Sequence, residues 1–413
     1  MKRRHIILMI GTAALIVLAW QREPMADGKA ITYWLENLGD YDSAEPNPAA
    51  IALQKVGTNA LPWMLWEIKL GKSQTRLWFE WQISRQPLVK FQFEDEDTHR
   101  NHAVTAFEIL GDVAAPAIPE LIHLLEAEHA NPEVQQALVY IGPASIRPLT
   151  NALTSSNPDL REHAADTLGK FGPAAASATP ALLRCLDDSE ILARTAAIDA
   201  LGCIHSHPEE VIPALIKLLR DPNKYVRRDA AIALGCYREV AEVAIDELLR
   251  LVMKDEAEVS NWAIGALGRI GRRSDQIVPA LLAQWTNNAS VRQSIVESLS
   301  AFPDKADDTL PIIFEAAKGR YWWDAVQSLG TLTNQSETIA PFLVSFLKDR
   351  DPQKRYYAAF ALANLGDKSD ETISALKKLQ NDNTEFWNGS MGNENVSRAA
   401  NSALRTLQSE QRP

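Results

Sequence analysis

Eight histidines and three cysteines are the residues of this 413-residue chain best suited to metal or nucleophilic chemistry. In the sequence their spacing builds no site. His99 and His102 stand three apart, and His205 and His207 flank a serine. Neither pair shows the Glu, Asp or Cys company of a zinc or iron site. Cys185, Cys203 and Cys236 are an odd set without paired spacing, so they are not a disulfide framework. Cys203 and Cys236 each follow a glycine at equivalent places and are expected to be small packing residues. No GxSxG elbow, Cys-His constellation or phosphate-binding glycine loop occurs. The expectation is a chain without catalytic residues, metal or cofactor.

The chemistry that does recur is ionic and periodic. Arg100, Arg161, Arg194, Arg227, Arg292 and Arg355 each stand eight residues before a common register position. A ladder of guanidinium groups bonded to acids of neighbouring units, such as Asp188 and Asp221, is expected; an anion-binding stripe is the alternative.

That register comes from a repeat. Its clearest copies are LREHAADTLGKFG (160–172), LARTAAIDALGCI (192–204), YVRRDAAIALGCY (225–237) and VSNWAIGALGRIG (259–271). With the first glycine as the mark, the copies fall at Gln54, Glu108, Val139, Gly169, Gly202, Gly235, Gly268, Ser300, Gly330, Ala363 and Arg405. Eight of the ten spacings are 30–33 residues. That period is too short for separate globular domains and fits a stack of helix pairs. Pro119, Pro180, Pro213, Pro279, Pro311 and Pro341 lie eleven residues past a mark, each opening an apolar run. Proline is tolerated in a first helical turn, so each is expected to start the first helix of a pair. Asn131-Pro132, Asn157-Pro158, Asp221-Pro222 and Asp351-Pro352 predict the starts of second helices, with Asn or Asp as the cap. Val226, Ala230 and Leu234 mark the buried stripe of one second helix. No strand pattern is visible. The fold expected is all-α: an α-solenoid of about ten to eleven antiparallel helix pairs.

The copies resemble the short HEAT repeats of phycobilisome-lyase-like proteins, and the resemblance spans roughly 48–408. It implies a solenoid whose second helices line a concave face. A lyase-like activity would be the enzymatic reading implied, with the aromatic insertion described below as its pocket. The deoxyhypusine hydroxylases, another HEAT family, bind iron through repeated His-Glu pairs. Here the one near match is reversed, Glu162-His163, and gives that reading no support.

Departures from the repeat define the remaining organisation. Residues 1–20 carry the basic group Lys2, Arg3 and Arg4, then an uncharged stretch from Ile6 to Trp20. Fifteen residues suit a signal segment better than a spanning helix, which needs about 20. A cleaved signal peptide or an uncleaved anchor is expected, with the body in the periplasm or cell envelope. Residues 21–47 hold a capping helix at 28–39 with Ile31, Trp34, Leu35 and Leu38, similar in general form to the lead-in of exported bacterial HEAT proteins. The array runs 48–408, and 409–413 is a polar tail. One insertion, near 71–97, carries Trp78, Trp81, Phe91 and Phe93 as a lid or contact element. Another, 384–395, reads as a surface loop with Phe386 and Trp387.

A net charge of -11 and the lack of a basic run beyond the first four residues argue against nucleic acid. The candidate surface is the exposed side of the second helices, at seven, six and three residues before the mark. It comprises Glu162, Asp166, Asp199, Arg228, Asp229, Trp262, Glu297, Trp323, Asp324, Tyr356, Tyr357 and Phe360. Clustered Trp and Tyr on one face are what interface hot spots look like. A non-enzymatic scaffold binding a protein or peptide is the function expected. A membrane-tethered structural protein, held only by its N-terminal segment, is a third reading.

Overall fold

The computed structural model describes residues 24–36, 47–69, 96–126, 132–387 and 392–409. The N-terminal segment 1–20, the aromatic residues Trp78, Trp81, Phe91 and Phe93, and the tail beyond 409 lie outside them.

The chain forms two compact units, Met1–His207 and Pro208–Pro413. The first opens with a short hairpin, β1 (Met25–Ala26) and β2 (Lys29–Ala30), followed by α1 (Ile31–Glu36) and α2 (Pro48–Val56). Then come α3 (Leu61–Lys69), α4 (Glu96–Leu110), α5 (Ile118–Leu124), α6 (Pro132–Ile141), α7 (Ile146–Ala152), α8 (Pro158–Lys170), α9 (Thr179–Cys185) and α10 (Ile191–Ile204). The second unit holds α11 (Pro208–Leu218), α12 (Lys224–Cys236), α13 (Ile245–Lys254), α14 (Ala257–Ile270), α15 (Ser274–Asn287) and α16 (Arg292–Leu299). It continues with α17 (Ala306–Lys318), α18 (Trp322–Thr331), α19 (Ser336–Phe346), α20 (Pro352–Leu365) and α21 (Asp370–Lys378). A hairpin, β3 (Glu385–Trp387) and β4 (Asn393–Asn395), precedes the last helix, α22 (Val396–Ser409).

From α3 onward, odd-numbered helices are the first members of pairs and even-numbered ones the second. Within each unit the second helices of successive pairs lie side by side, α8 on α10, α12 on α14 and α20 on α22. The fold is an all-α solenoid. Val226, Ala230 and Leu234 are fully buried, as the periodicity of α12 requires. The first motif glycine serves this contact. A Cβ on Gly235 would sit 2.9 Å from Ala266 Cα, and one on Gly268 would sit 2.9 Å from Ser298 Cβ, so neighbouring helices meet backbone to backbone. The second motif glycine does something else: Gly271 ends α14 at φ 62, the left-handed cap conformation that glycine adopts without strain.

Asn157 and Asp351 cap α8 and α20 as expected, accepting the Asp159 and Gln353 amide protons. At α12 the cap lies two residues later, on Asn223, because Asp221 accepts the Asn223 N–H in a turn of its own. Pro119 and Pro180 open α5 and α9. Pro213, Pro279, Pro311 and Pro341 correct the prediction, since they lie inside α11, α15, α17 and α19. In those pairs the connecting residues are already helical, and proline occupies the second turn. Two short antiparallel hairpins also correct the strand-free reading. They contain only two or three residues per strand, too few to show an alternating pattern. Ile31 and Leu35 of α1 are buried, and α1 packs on α2 and α4 as a cap.

Candidate functional site

Each second helix turns one edge to solvent. On α8 it holds Glu162 and Asp166, both half-buried, and on α10 it holds the exposed Asp199. Burial pushes the Glu162 and Asp166 carboxyls above the usual range, and His163 opposes the rise. The His163 Nδ1 lies 2.9 Å from the Leu125 carbonyl, which places a proton on Nδ1. This edge of the first unit is acidic, in agreement with the residue pattern.

In the second unit the edge holds the half-buried Arg228 and the exposed Glu297, with Trp262 and Trp323 exposed at 42% and 47%. Tyr357 and Phe360 are half-buried. Three predicted surface residues are not on the surface. Asp229 is 3% exposed, Asp324 8% and Tyr356 7%. Asp324 accepts a bond from the preceding second helix. Asp229 accepts a 2.7 Å hydrogen bond from Arg228 Nε. Asp324 meets Gln293 of α16, whose Nε2 donates to it at 3.5 Å and to Glu297 Oε1 at 3.1 Å. Tyr356 is covered by Phe386 of β3 and Glu394 of β4. Its ring packs edge-on to Phe386 at 5.2 Å, and burial followed by the Glu394 carboxylate pushes its phenol up. The segment read as a plain loop is therefore a cover for α20.

The aromatic rings join into one run. Trp322 and Trp323 both contact Tyr357 at 6.1 Å between centroids, and Tyr356 packs on Tyr357 and Phe360 at 5.2 and 4.9 Å.

The arginine series is structural. Arg161, Arg227 and Arg355 each reach an acid of the next pair: Asp188 at 2.6 and 2.7 Å, Asp255 at 2.8 and 2.7 Å, and Asp382 at 2.9 Å. The Nη1 of each also donates to carbonyls of its own pair's connection, as Arg227 does to Asp221 and Pro222 at 2.9 and 3.1 Å. Of the two acids expected in this role, Asp188 takes it, whereas Asp221 contributes its carbonyl to Arg227. Arg194 donates to the carbonyls of Asp188 and Ser189. Arg292 departs from the pattern: its Nε donates to the Trp285 carbonyl at 2.8 Å, because no acid stands 27 or 28 residues on.

The sequence matches the family model for HEAT repeats over residues 146–235, 179–268 and 212–300. It matches the PBS lyase HEAT-like repeat over 354–382. The chain is a HEAT-repeat protein. No curated protein matches its sequence. Among solved structures it is similar to Kap121p bound to Pho4p, with TM-score 0.50 and 14% identity over 85% of this chain and 46% of that one. A second match is the Escherichia coli protein YibA, with TM-score 0.47 and 20% identity over 68% of this chain and 100% of that one. The HEAT chain thus spans under half the length of Kap121p.

The ionisable groups of the HEAT repeats predict how stability follows pH. The Arg161 hydrogen bond holds Asp188 low, and Arg220 holds Glu247 at about 2 with help from Arg250, against the effect of burial. Such groups add stability above the unfolded carboxylate range, and that stability is lost as pH falls below roughly 4. Glu162, Asp166, Glu297 and Asp324 are shifted upward, first by burial. The folded state therefore takes up their protons more readily, and their ionisation weakens it as pH rises above the same range. Stability should peak at mildly acid pH. Urea midpoints at pH 3, 5 and 7 should be highest at 5; a steady rise from 3 to 7 would contradict the assignment.

Several residues of the exposed edges were missed in the sequence. Tyr225 and Leu192 are exposed ten residues before their marks. The signal was available: ten, seven and three residues before the mark lie on one helical face. Gln293 and Trp322 belong to the same edge. Cys203 is exposed, which corrects its reading as a packing residue, whereas Cys185 is buried. His207 has acidic company after all, since its ring and the Glu209 and Glu210 carboxylates place ligand atoms within 4.8 Å of one another. All three are exposed side chains at a helix start. Among the described residues no helix is long and apolar enough to cross a membrane.

Proposed function

We propose that this HEAT-repeat chain is a non-enzymatic, exported scaffold that holds a protein or peptide on the exposed, concave side of its second helices. The observation that carries the reading is the exposure of Trp262 and Trp323 on that side of the second unit, with Tyr357 edge-on to Trp323. Indole rings left in water next to other rings are costly unless something covers them, and Trp and Tyr dominate interface energetics. The ionic ladder and the motif glycines are consumed by packing, whereas Trp262 and Trp323 keep 42% and 47% of their surface in water. The Kap121p structure with Pho4p is a precedent for the fold only. Export rests on the basic Lys2–Arg4 group and the apolar stretch after it.

The test is affinity capture from the native envelope fraction with the full chain, comparing it with the Trp262→Ala/Trp323→Ala double variant. The variant should keep the helical signal and urea midpoint of the parent and lose most of the captured partner, at least tenfold. Undiminished capture would remove this edge as the binding site. The intact mass of the same preparation should be short by ~19 N-terminal residues if the leader is cleaved; a full-length mass would favour the tethered reading.

A further inference from the structure

One pair of acids in the second unit, Glu297 and Asp324, lies side by side between two second helices without an ion-pair partner among the described residues. Asp246, Glu247, Asp255, Glu258, Asp275 and Asp382 each have an arginine or lysine in ion-pair range. Glu297 and Asp324 do not: among the described residues, their side chains meet the Gln293 amide and each other, and Asp324 also accepts its own backbone N–H. Asp324 is more than nine-tenths buried, and among the described residues no lysine or arginine is in ion-pair range of it. The buried Asp324 and the exposed Glu297 repel when both are ionised, and one amide cannot neutralise them.

The pair occupies the gap between α16 and α18. The next gap, between α18 and α20, holds Trp323 and Tyr357, with Trp322 against the same tyrosine. Helix α18 supplies a residue to each gap, so the acid site and the aromatic site are neighbours on one edge. Packed helices are roughly 8–10 Å apart, and an extended chain advances about 3.3 Å per residue. A peptide crossing this edge would therefore present side chains to the two gaps about three residues apart.

We infer that the edge formed by α16, α18 and α20 receives an extended peptide that places a lysine or arginine between Glu297 and Asp324 and an apolar side chain, three residues away, on Trp323 and Tyr357. The cationic head supplies the missing counter-charge and completes the hydrogen bonding of both carboxylates. Its methylene stem lies along Trp323, where a nearby cation also gains from the ring face. An acidic peptide would meet like charge at the first gap and be rejected. This deepens the scaffold reading and rests on it.

The probe is an immobilised array of twelve-residue peptides with Lys, Arg, Gln or Glu at one position and Leu, Trp or Ser three residues on. The full chain should be retained by Lys or Arg peptides that also carry Leu or Trp, and should be lost as salt rises. Glu297→Gln/Asp324→Asn should lower that retention at least tenfold, with a urea midpoint no lower than the parent's. Trp323→Ala should weaken it as well. Equal retention of Glu peptides, no retention of any peptide, or indifference to the carboxamide pair overturns the inference. Indifference to the carboxamides together with loss on Trp262→Ala/Trp323→Ala in envelope capture leaves the scaffold reading standing. Undiminished capture by both double variants removes both.

Discussion

Arg227→Ala should lower the stability of the second unit by about 3–5 kcal/mol, the scale for stranding one member of a buried ion pair. The side chains of Arg227 and Asp255 are exposed by only 14% and 8%. Truncating the arginine leaves the Asp255 carboxylate without its two-pronged partner, and the Asp221 and Pro222 carbonyls without a donor. The companion measurement is the double replacement Arg227→Met/Asp255→Leu. If the loss comes from the stranded charge, the double variant should regain much of it, because an apolar pair of similar size costs little where a buried ion pair stood. It should not regain all of it, because the two carbonyls stay unpaired. Urea unfolding of the four proteins decides the matter. A single-variant loss under about 1 kcal/mol, the ordinary worth of an exposed ion pair, would mean that the fork is ornamental.

Gly235→Val should be the most damaging small substitution on α12, at about 1–3 kcal/mol or more. The added carbon would lie 2.9 Å from Ala266 Cα and 3.2 Å from its Cβ. The nearest obstacle is main chain, which cannot swing aside as a flexible side chain would. Gly265 provides the control. It lies inside α14, and a Cβ there meets nothing within 4 Å. Gly265→Ala should therefore stabilise, by about 0.5–1 kcal/mol, through the helix preference of alanine. Opposite signs at two glycines of neighbouring helices are the expected thermal-melt result; the same sign at both would refute the packing argument.

The repeat was legible because its period forces one residue type to one environment in every copy. Val226, Ala230 and Leu234 follow from helical geometry alone, as does the Arg161–Asp188 pair from charge and register. Three features were hidden for three physical reasons. Asp324 is bonded from the preceding second helix and Asp229 from its chain neighbour Arg228, so a reading of helical period alone puts them outside. Tyr356 is buried by Phe386 and Glu394, some 30 residues on in sequence, through a hairpin too short to have a pattern. The proline positions misled because the same residue serves the first turn in α9 and the second in α11, depending on whether the connection has already coiled.

The forks are unevenly distributed along the second unit. On α12 Arg227 grips Asp255 with two bonds, and on α20 Arg355 reaches Asp382 through Nε and the connection carbonyls through Nη1. Between them, α14 carries Ser260, α16 carries Arg292 and α18 carries Trp322 at the same position. Ser260 and Arg292 bond only to carbonyls, and Trp322 packs on Tyr357. Apolar packing resists separation but tolerates sliding, whereas a two-pronged ionic clamp fixes both distance and angle. The middle pairs are thus held without forks, by apolar packing, carbonyl bonds and single contacts such as Lys305–Asp275 and Gln293–Asp324, which constrain the angle between helices less.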